Sequence, residues 1–199
     1  MDALRQTLWS LEAVAVFCAI AYLLLAAREN LWCWLFAGVS SALYVWIFWD
    51  VRLLMESLLS VYYVVMAVVG WQQWRSGAAG QGRAIVTLRC SQHVLLLGAM
   101  VLLALASGWW LHDNTDAAWP FLDSFTTWAS AITTVLVVRK VLENWLYWLL
   151  IDSISLYLYL DRGLYLTALL FAAYLLIVVF GYMQWRRQYR RQSAHTAAA

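Results

Sequence analysis

The chain has 199 residues, 65% hydrophobic and 12% charged, with a net charge of +2, one proline and 14 tryptophans. A soluble domain carries about a quarter charged residues, so this composition belongs to a membrane protein, and a mean hydropathy of +0.70 agrees. Disorder, a disulfide scaffold and a nucleic-acid binder are excluded by the same figures. Cys18, Cys33 and Cys90 sit in or beside apolar runs without metal-ligand or redox spacing, and the three histidines lie far apart, so neither a metal nor another cofactor is expected.

A helix crossing the hydrocarbon core needs roughly 20 apolar residues. Seven stretches qualify: about Leu8–Ala27, Leu31–Trp49, Leu53–Trp74, Ala84–Ala106, Ala118–Val138, Trp145–Leu160 and Leu164–Trp185. Short polar turns join them, except for a Gly-rich linker from Ser76 to Gly82 and a polar loop over Ser107–Ala117. The runs are too long for barrel strands, and the first leads directly into the second, unlike a cleaved signal. With seven spans, Arg28, Arg75, Arg83, Arg89, Arg139, Lys140, Arg186, Arg187, Arg190 and Arg191 fall on one side and Arg5, Arg52 and Arg162 on the other. The basic side is cytoplasmic, which places the N-terminus outside and the C-terminus inside. The tail Arg186–Arg191 is first this topology signal and secondarily an anionic-lipid contact.

An internal repeat organises the chain. Gly70-Trp71-Gln72-Gln73-Trp74-Arg75 matches Gly181-Tyr182-Met183-Gln184-Trp185-Arg186 at an offset of 111, as do Leu11-Glu12 with Leu122-Asp123 and Arg28 with Arg139. Beyond that turn, Glu29-Asn30 and Trp34 match Glu143-Asn144 and Trp148 at 114, which pairs Gly38 with Asp152 and Ser41 with Ser155. Spans 1–3 therefore correspond to spans 5–7, and the unmatched fourth span restores the orientation of the second copy. The expected fold is an all-α membrane protein of seven transmembrane helices in 3+1+3 parallel repeats. Its domains are residues 1–75 as a first three-helix bundle, 76–116 as linker, fourth helix and outer loop, 117–187 as a second bundle, and 188–199 as a basic tail. A transporter of this plan holds its substrate near the midplane between the repeats.

Polar residues inside the spans mark the candidate site. Span 5 carries Asp123, Thr126, Thr127, Ser130, Thr133 and Thr134 along one face, and span 6 carries Trp145, Trp148, Asp152, Ser155 and Tyr159 along another. Asp152 lies about nine residues into its span, on the order of 13 Å deep, where a carboxylate is costly unless hydrated or paired. No lysine or arginine shares that depth. Glu12, Glu56 and Asp123 sit nearer span ends and are weaker candidates. Trp9, Trp46, Trp49, Trp109, Trp110 and Trp119 read as an interfacial belt. Trp34, Trp145 and Trp148 are placed to stack on a flat ring, and a cationic ring gains about 0.5–2 kcal/mol from the π-face. Tyr63 and Tyr174 are repeat-equivalent and mid-span. Trp71, Trp74, Tyr182 and Trp185 close spans 3 and 7 as an inner gate or, more simply, an aromatic belt.

Glu29-Asn30 with Trp34, Ser40-Ser41 with Tyr44, Gly70-Trp71 with Trp74, Glu143-Asn144-Trp145 with Trp148 and Asp152, and Leu164–Ala168 leading to Gly181-Tyr182 and Trp185 resemble the PnuC family of vitamin transporters. The resemblance runs from Leu11 to Arg186, and the SWEET sugar transporters are similar at a distance. It implies uptake of nicotinamide riboside or a related vitamin (thiamine and riboflavin among them) across the bacterial inner membrane. It also implies facilitated diffusion made net inward by phosphorylation of the cargo, a homotrimer, and a ligand site carried over to Trp34, Trp145, Trp148 and Asp152. Ser41, Tyr63, Thr127, Ser130, Ser155, Tyr159 and Tyr174 complete the candidate substrate-binding set.

Other classes fit less well. A retinal protein needs a lysine within a span, and the one lysine, Lys140, lies at the inner end of span 5. A PQ-loop-like receptor lacks its Pro-Gln pair here. An enzyme lacks a nucleophile–base pair, a metal cluster or a phosphate loop, and a channel lacks charged rings. The mechanism this reading gives is alternating access: the ligand enters from outside, stacks on Trp145 and Trp148, offers its polar groups to Asp152, Ser155, Tyr159 and the Thr126–Thr134 face, and leaves near Trp74 and Trp185.

Overall fold

The computed structural model describes residues 2–50, 54–76, 83–115, 119–161, 163 and 165–198, and within these the side chains other than those of 2–10, 54–56, 166–167 and 195–198. The Gly-rich linker over 77–82, Arg52, Arg162 and the side chains of Arg5, Trp9 and Glu56 therefore lie outside the described residues. Among the described residues seven helices follow one another: α1 (Asp2–Ala27), α2 (Cys33–Asp50), α3 (Leu54–Arg75), α4 (Cys90–Asn114), α5 (Pro120–Val138), α6 (Asn144–Asp161) and α7 (Tyr165–Ala198). Within α2, α4, α5 and α7 there is a stretch long and apolar enough to cross a membrane. In α1 the apolar stretch Leu11–Ala27 is shorter, while α3 and α6 carry the tyrosines, tryptophans and acidic residues that lower their apolarity.

Two compact units divide the chain, Met1–Ala84 and Ile85–Ala199. In the first, α2 packs on both α1 and α3. Apolar side chains gain little from packing on each other in lipid, so close approach and interhelical hydrogen bonds hold such helices. Ser40 Oγ donates to the Ala15 carbonyl at 2.8 Å, tying α2 to α1, and Ser57 Oγ donates to the Val45 carbonyl at 3.0 Å, tying α3 to α2. In the second unit α5 packs on α4 and α6, and α6 on α7. Met100, Ala129, Leu136, Val141, Tyr147 and Ile151 form its core, with Trp148 and Phe125 against it.

The helix–helix turns are the most informative local structure. Glu29, at φ 54°, reverses the chain between α1 and α2, and Lys140, at φ 52°, does so between α5 and α6. These two left-handed residues stand 111 positions apart. In the first turn the amides of Glu29, Asn30, Cys33, Leu35 and Phe36 donate to the carbonyls of Ala26, Leu25, Asn30, Trp32 and Trp32. In the second, Lys140, Val141, Asn144, Leu146 and Tyr147 donate to Val137, Leu136, Val141, Glu143 and Glu143. These five bonds recur 111 residues on, with no insertion, while the residue before them differs: Arg28 donates to the Leu25 carbonyl and Arg139 to that of Val135. The 114 offset read from the two Glu-Asn pairs does not hold in the structure, because the turn geometry fixes the loop length and the Glu-Asn match falls three residues out of register. Trp34 thus corresponds to Trp145, and Asp152 to Ser41 rather than Gly38.

The fourth helix differs from its expected span at both ends. It begins at Cys90, not Ala84, because residues 83–89 run extended. Val86 donates to the Lys140 carbonyl at 3.0 Å and accepts from the Leu142 amide at 2.8 Å, so this strap bridges to the α5–α6 turn. Ile85 is buried, its amide bonded to Gln192 Oε1 of α7 at 3.2 Å, and the Leu88 amide reaches Glu143 Oε2 at 3.3 Å. The β-branched pair Ile85-Val86 suits an extended segment. Gln92 Oε1 accepts from the Arg89 amide at 2.8 Å and starts the helix. At the other end, Ser107–Asn114 is helical where a loop was expected. Its polar side chains fold back onto the helix: Ser107 Oγ to the Leu103 carbonyl and Asn114 Nδ2 to the Trp110 carbonyl, both at 2.8 Å. Gly108 admits Phe121 of α5 so closely that a Cβ there would lie 2.6 Å from its ring.

Candidate functional site

The aromatic residues where α2 and α6 begin and α3 and α7 carry their Gly-Trp and Gly-Tyr segments are packed in two similar seats. In the first unit the Trp34 indole lies on Gly70, where an added Cβ would sit 2.4 Å from the ring. Trp34 meets Trp74 edge-on, centroids 5.4 Å apart at 89°. In the second unit Trp145 lies on Gly181, with 2.6 Å to an added Cβ, and meets Trp185 at 5.5 Å and 85°. Glycine at 70 and 181 is required because only a bare Cα lets an indole approach a helix this closely. All four tryptophans are buried, and the indole Nε1 of Trp34 and of Trp145 has no hydrogen-bond partner among the described residues. Trp71 and Tyr182 are half-buried; Trp71 is edge-on to Trp32, and the Tyr182 ring carries the Arg186 guanidinium 6.0 Å from its centre.

The α6 stripe is brought together as the spacing requires. Asp152 is 5% exposed in the middle of α6, Ser155 is buried one turn on, and Trp148 and Tyr159 are half-buried on the same face. No lysine or arginine pairs with Asp152 among the described residues. Tyr159 and Tyr174 are linked through Phe171 of α7, with ring centroids 5.1 Å and 5.5 Å from it. Phe171 was not singled out from sequence; its position three residues before Tyr174 on one helix face is the signal. In the first unit Ser41, Tyr63 and Tyr44 are half-buried.

The α5 face is less uniform than its spacing indicates. Thr126 and Thr127 hydroxyls both donate to the Asp123 carbonyl at 2.9 Å, and Thr134 donates to the Ser130 carbonyl at 2.8 Å. These hydroxyls answer to their own helix, a common fate of threonine in apolar surroundings. Thr127 is exposed and Ser130 half-buried. By contrast Thr133 is fully buried with Oγ1 unpartnered, and Asn144, also fully buried, donates Nδ2 to the Val141 carbonyl at 2.6 Å while Oδ1 has no partner among the described residues. Together with Ser124 Oγ and Trp145 Nε1 they give the second unit four buried polar atoms without partners among the described residues. Such atoms cost about 1–3 kcal/mol each, and water or ligand contact would relieve that cost. The sequence reading uses Asn144 only for its match to Asn30 and not as a site residue, since it stands one residue before the expected sixth span.

The chain is similar in sequence and in fold to known transporters. A family profile described as nicotinamide mononucleotide transporter matches residues 9–187. The chain is 24% identical over 211 residues to the nicotinamide riboside transporter PnuC of Escherichia coli (strain K12), covering 92% of this chain and 88% of that one. It is 25% identical over 197 residues to the nicotinamide riboside transporter PnuC of Neisseria mucosa, covering 92% and 74%. To the riboflavin/roseoflavin transporter RibM of Streptomyces davaonensis it is 22% identical over 193 residues, covering 95% and 90%. The crystal structure of the vitamin B3 transporter PnuC is similar with a TM-score of 0.73 at 25% identity, covering 91% of this chain and 82% of that one.

Proposed function

We propose that this chain, which belongs to the nicotinamide mononucleotide transporter (PnuC) family, carries nicotinamide riboside inward by facilitated diffusion with alternating access. It is a transporter and not an enzyme, and a multi-pass protein of the bacterial inner membrane. The observation that carries the substrate reading is Asp152, a buried carboxylate in mid-helix with no basic partner among the described residues. A cationic ring satisfies such a group, the pyridinium of nicotinamide riboside or equally the thiazolium of thiamine, whereas the neutral isoalloxazine of riboflavin does not need it; the family match then favours nicotinamide riboside. Trp148, half-buried one turn from Asp152, is the ring best placed to stack on the cargo; Trp34 and Trp145 are taken up by their glycine seats and act through their indole N–H groups. Ser155, Tyr159 and Tyr174 complete the face in the second unit, bordered by Thr127 and Ser130, and Ser41 and Tyr63 are the substrate-binding residues that the first unit carries on its own helices. Trp71, Trp74, Tyr182 and Trp185 form the inner gate.

Seven spans with the N-terminus outside and the C-terminus cytoplasmic underlie this mechanism. The two three-helix repeats cross in the same sense because four spans separate α1 from α5. The recurrence of the five turn bonds 111 residues on supports the repeat, and the excess of lysine and arginine on one side supports the orientation. The protein works as a homotrimer, with phosphorylation in the cytoplasm retaining the cargo.

Riboflavin is the second reading, favoured by the likeness to RibM over 95% of this chain. Proteoliposomes separate the two. Vesicles enclosing a nicotinamide riboside kinase and ATP should accumulate labelled nicotinamide riboside, and vesicles without the kinase should only equilibrate. Uptake of riboflavin or thiamine instead would replace the substrate and leave the carrier mechanism standing. Failure to move any of the three would refute the reading, as would accumulation without kinase.

A further inference from the structure

The last helix is far longer than a bilayer requires, and its excess is basic. It runs 34 residues from Tyr165 to Ala198, and about 20 suffice to cross the hydrocarbon. Counting from Tyr165, the apolar core ends near Trp185. Arg186, Arg187, Arg190 and Arg191 then occupy the first turn and a half beyond it, within about 8 Å along the axis, the depth of lipid headgroups. All four are exposed. The helix contains no aspartate or glutamate, and no carboxylate pairs with any of the four among the described residues.

Their direction is fixed by the rest of the helix. At about 100° per residue, the four arginines fall on an arc of about 140°. The exposed apolar residues Leu169, Leu176, Phe180 and Met183 of the same helix fall on that same arc. Val178, Gly181, Trp185 and Gln192 lie opposite. The first three are buried, and Gln192 accepts from the Ile85 amide at 3.2 Å. From Val178 to Gln192 one face of α7 is therefore packed, including past the membrane, and from Leu176 onward the other passes without rotation from apolar to guanidinium. The guanidiniums stand above whatever covers Leu176 and Phe180. The α3 counterpart of this segment ends at Arg75, so the extension belongs to the second unit alone.

We infer that the Arg186–Arg191 face of α7 is a binding site for anionic phospholipid headgroups of the cytoplasmic leaflet. The acyl chains lie along the exposed Leu169–Met183 face, and the phosphates take forked hydrogen bonds from the guanidiniums. A planar fork suits a phosphodiester better than a diffuse positive potential would, and juxtamembrane basic residues are attracted to anionic lipid surfaces. This assignment does not depend on which vitamin is carried.

The test titrates full-length protein in neutral detergent with phosphatidylglycerol or with phosphatidylcholine of the same chains, following thermal unfolding. Phosphatidylglycerol should protect at lower concentration, and each of R187Q and R190Q should weaken that protection by roughly fivefold. Insertion of two alanines after Trp185 keeps every charge but turns the arginines by about 200°, and should abolish the preference. Equal protection by the two lipids would overturn the site. So would an unchanged preference in the R187Q/R190Q protein or in the insertion variant. Competition by millimolar inorganic phosphate as effective as that by the lipid would overturn the lipid assignment in favour of a free anion.

Discussion

Gly181→Ala tests the packing between α6 and α7 around Trp145 in the second unit. In an exposed helix interior this change is stabilising by about 0.5–1 kcal/mol, because glycine has more backbone freedom to lose on folding. Here the added Cβ would stand 2.6 Å from two Trp145 ring atoms and 2.8 Å from a third, so the ring must retreat by about 0.8 Å to reach ordinary contact. It has nowhere to go. Trp145 is 2% exposed and its partner Trp185 is 0% exposed, set edge-on at 5.5 Å. Overpacking of this kind costs about 1–3 kcal/mol, and loss of the edge-to-face geometry adds about 0.5–1.5 kcal/mol. The net expectation is a loss of about 1–3 kcal/mol after the helix-propensity gain. Unfolding in detergent measures it, with Gly98→Ala as the internal control: nothing lies within 4 Å of a Cβ there, so that variant should be neutral or stabilised by up to about 1 kcal/mol. In a Trp145→Leu background Gly181→Ala should lose most of its penalty, giving a coupling of at least about 1 kcal/mol. Equal effects at 181 and 98, or no coupling to Trp145, would refute the reasoning.

Other outcomes follow from the same contacts. Asp152→Asn should lower nicotinamide riboside uptake at least about tenfold, the worth of one hydrogen bond to a charged group, without lowering the unfolding midpoint; unchanged uptake would remove Asp152 from the site. Tyr147→Phe deletes the 2.7 Å bond between Tyr147 Oη and His93 Nδ1 that joins α6 to α4. It should cost about 0.5–1.5 kcal/mol in unfolding, with His93→Ala adding little on top if the two act as a pair. Gly70→Ala, with an added Cβ 2.4 Å from Trp34, should destabilise at least as much as Gly181→Ala and be relieved by Trp34→Leu in the same unfolding assay.

The sequence by itself determined that the chain is a helical membrane protein, and it located most helices closely: α2, α5 and α6 begin and end within about two residues of their expected spans, because apolar length and short polar turns are local signals. The α6 stripe was equally legible, since helical spacing alone puts Trp148, Asp152, Ser155 and Tyr159 on one face. Tertiary structure decided what spacing cannot express. Residues 83–89 look like the start of an apolar span, yet their amides are used by the α5–α6 turn and by Gln192, far away in sequence. The repeat register was misread by three residues because composition matched one Glu-Asn pair to another. The backbone instead counts hydrogen bonds and places left-handed Glu29 against Lys140. The tryptophans show the limit most plainly. Sequence says that Trp34, Trp145 and Trp148 lie on polar faces, but only three-dimensional contact with Gly70 and Gly181 distinguishes the two indoles that are packed from the one that remains half-open.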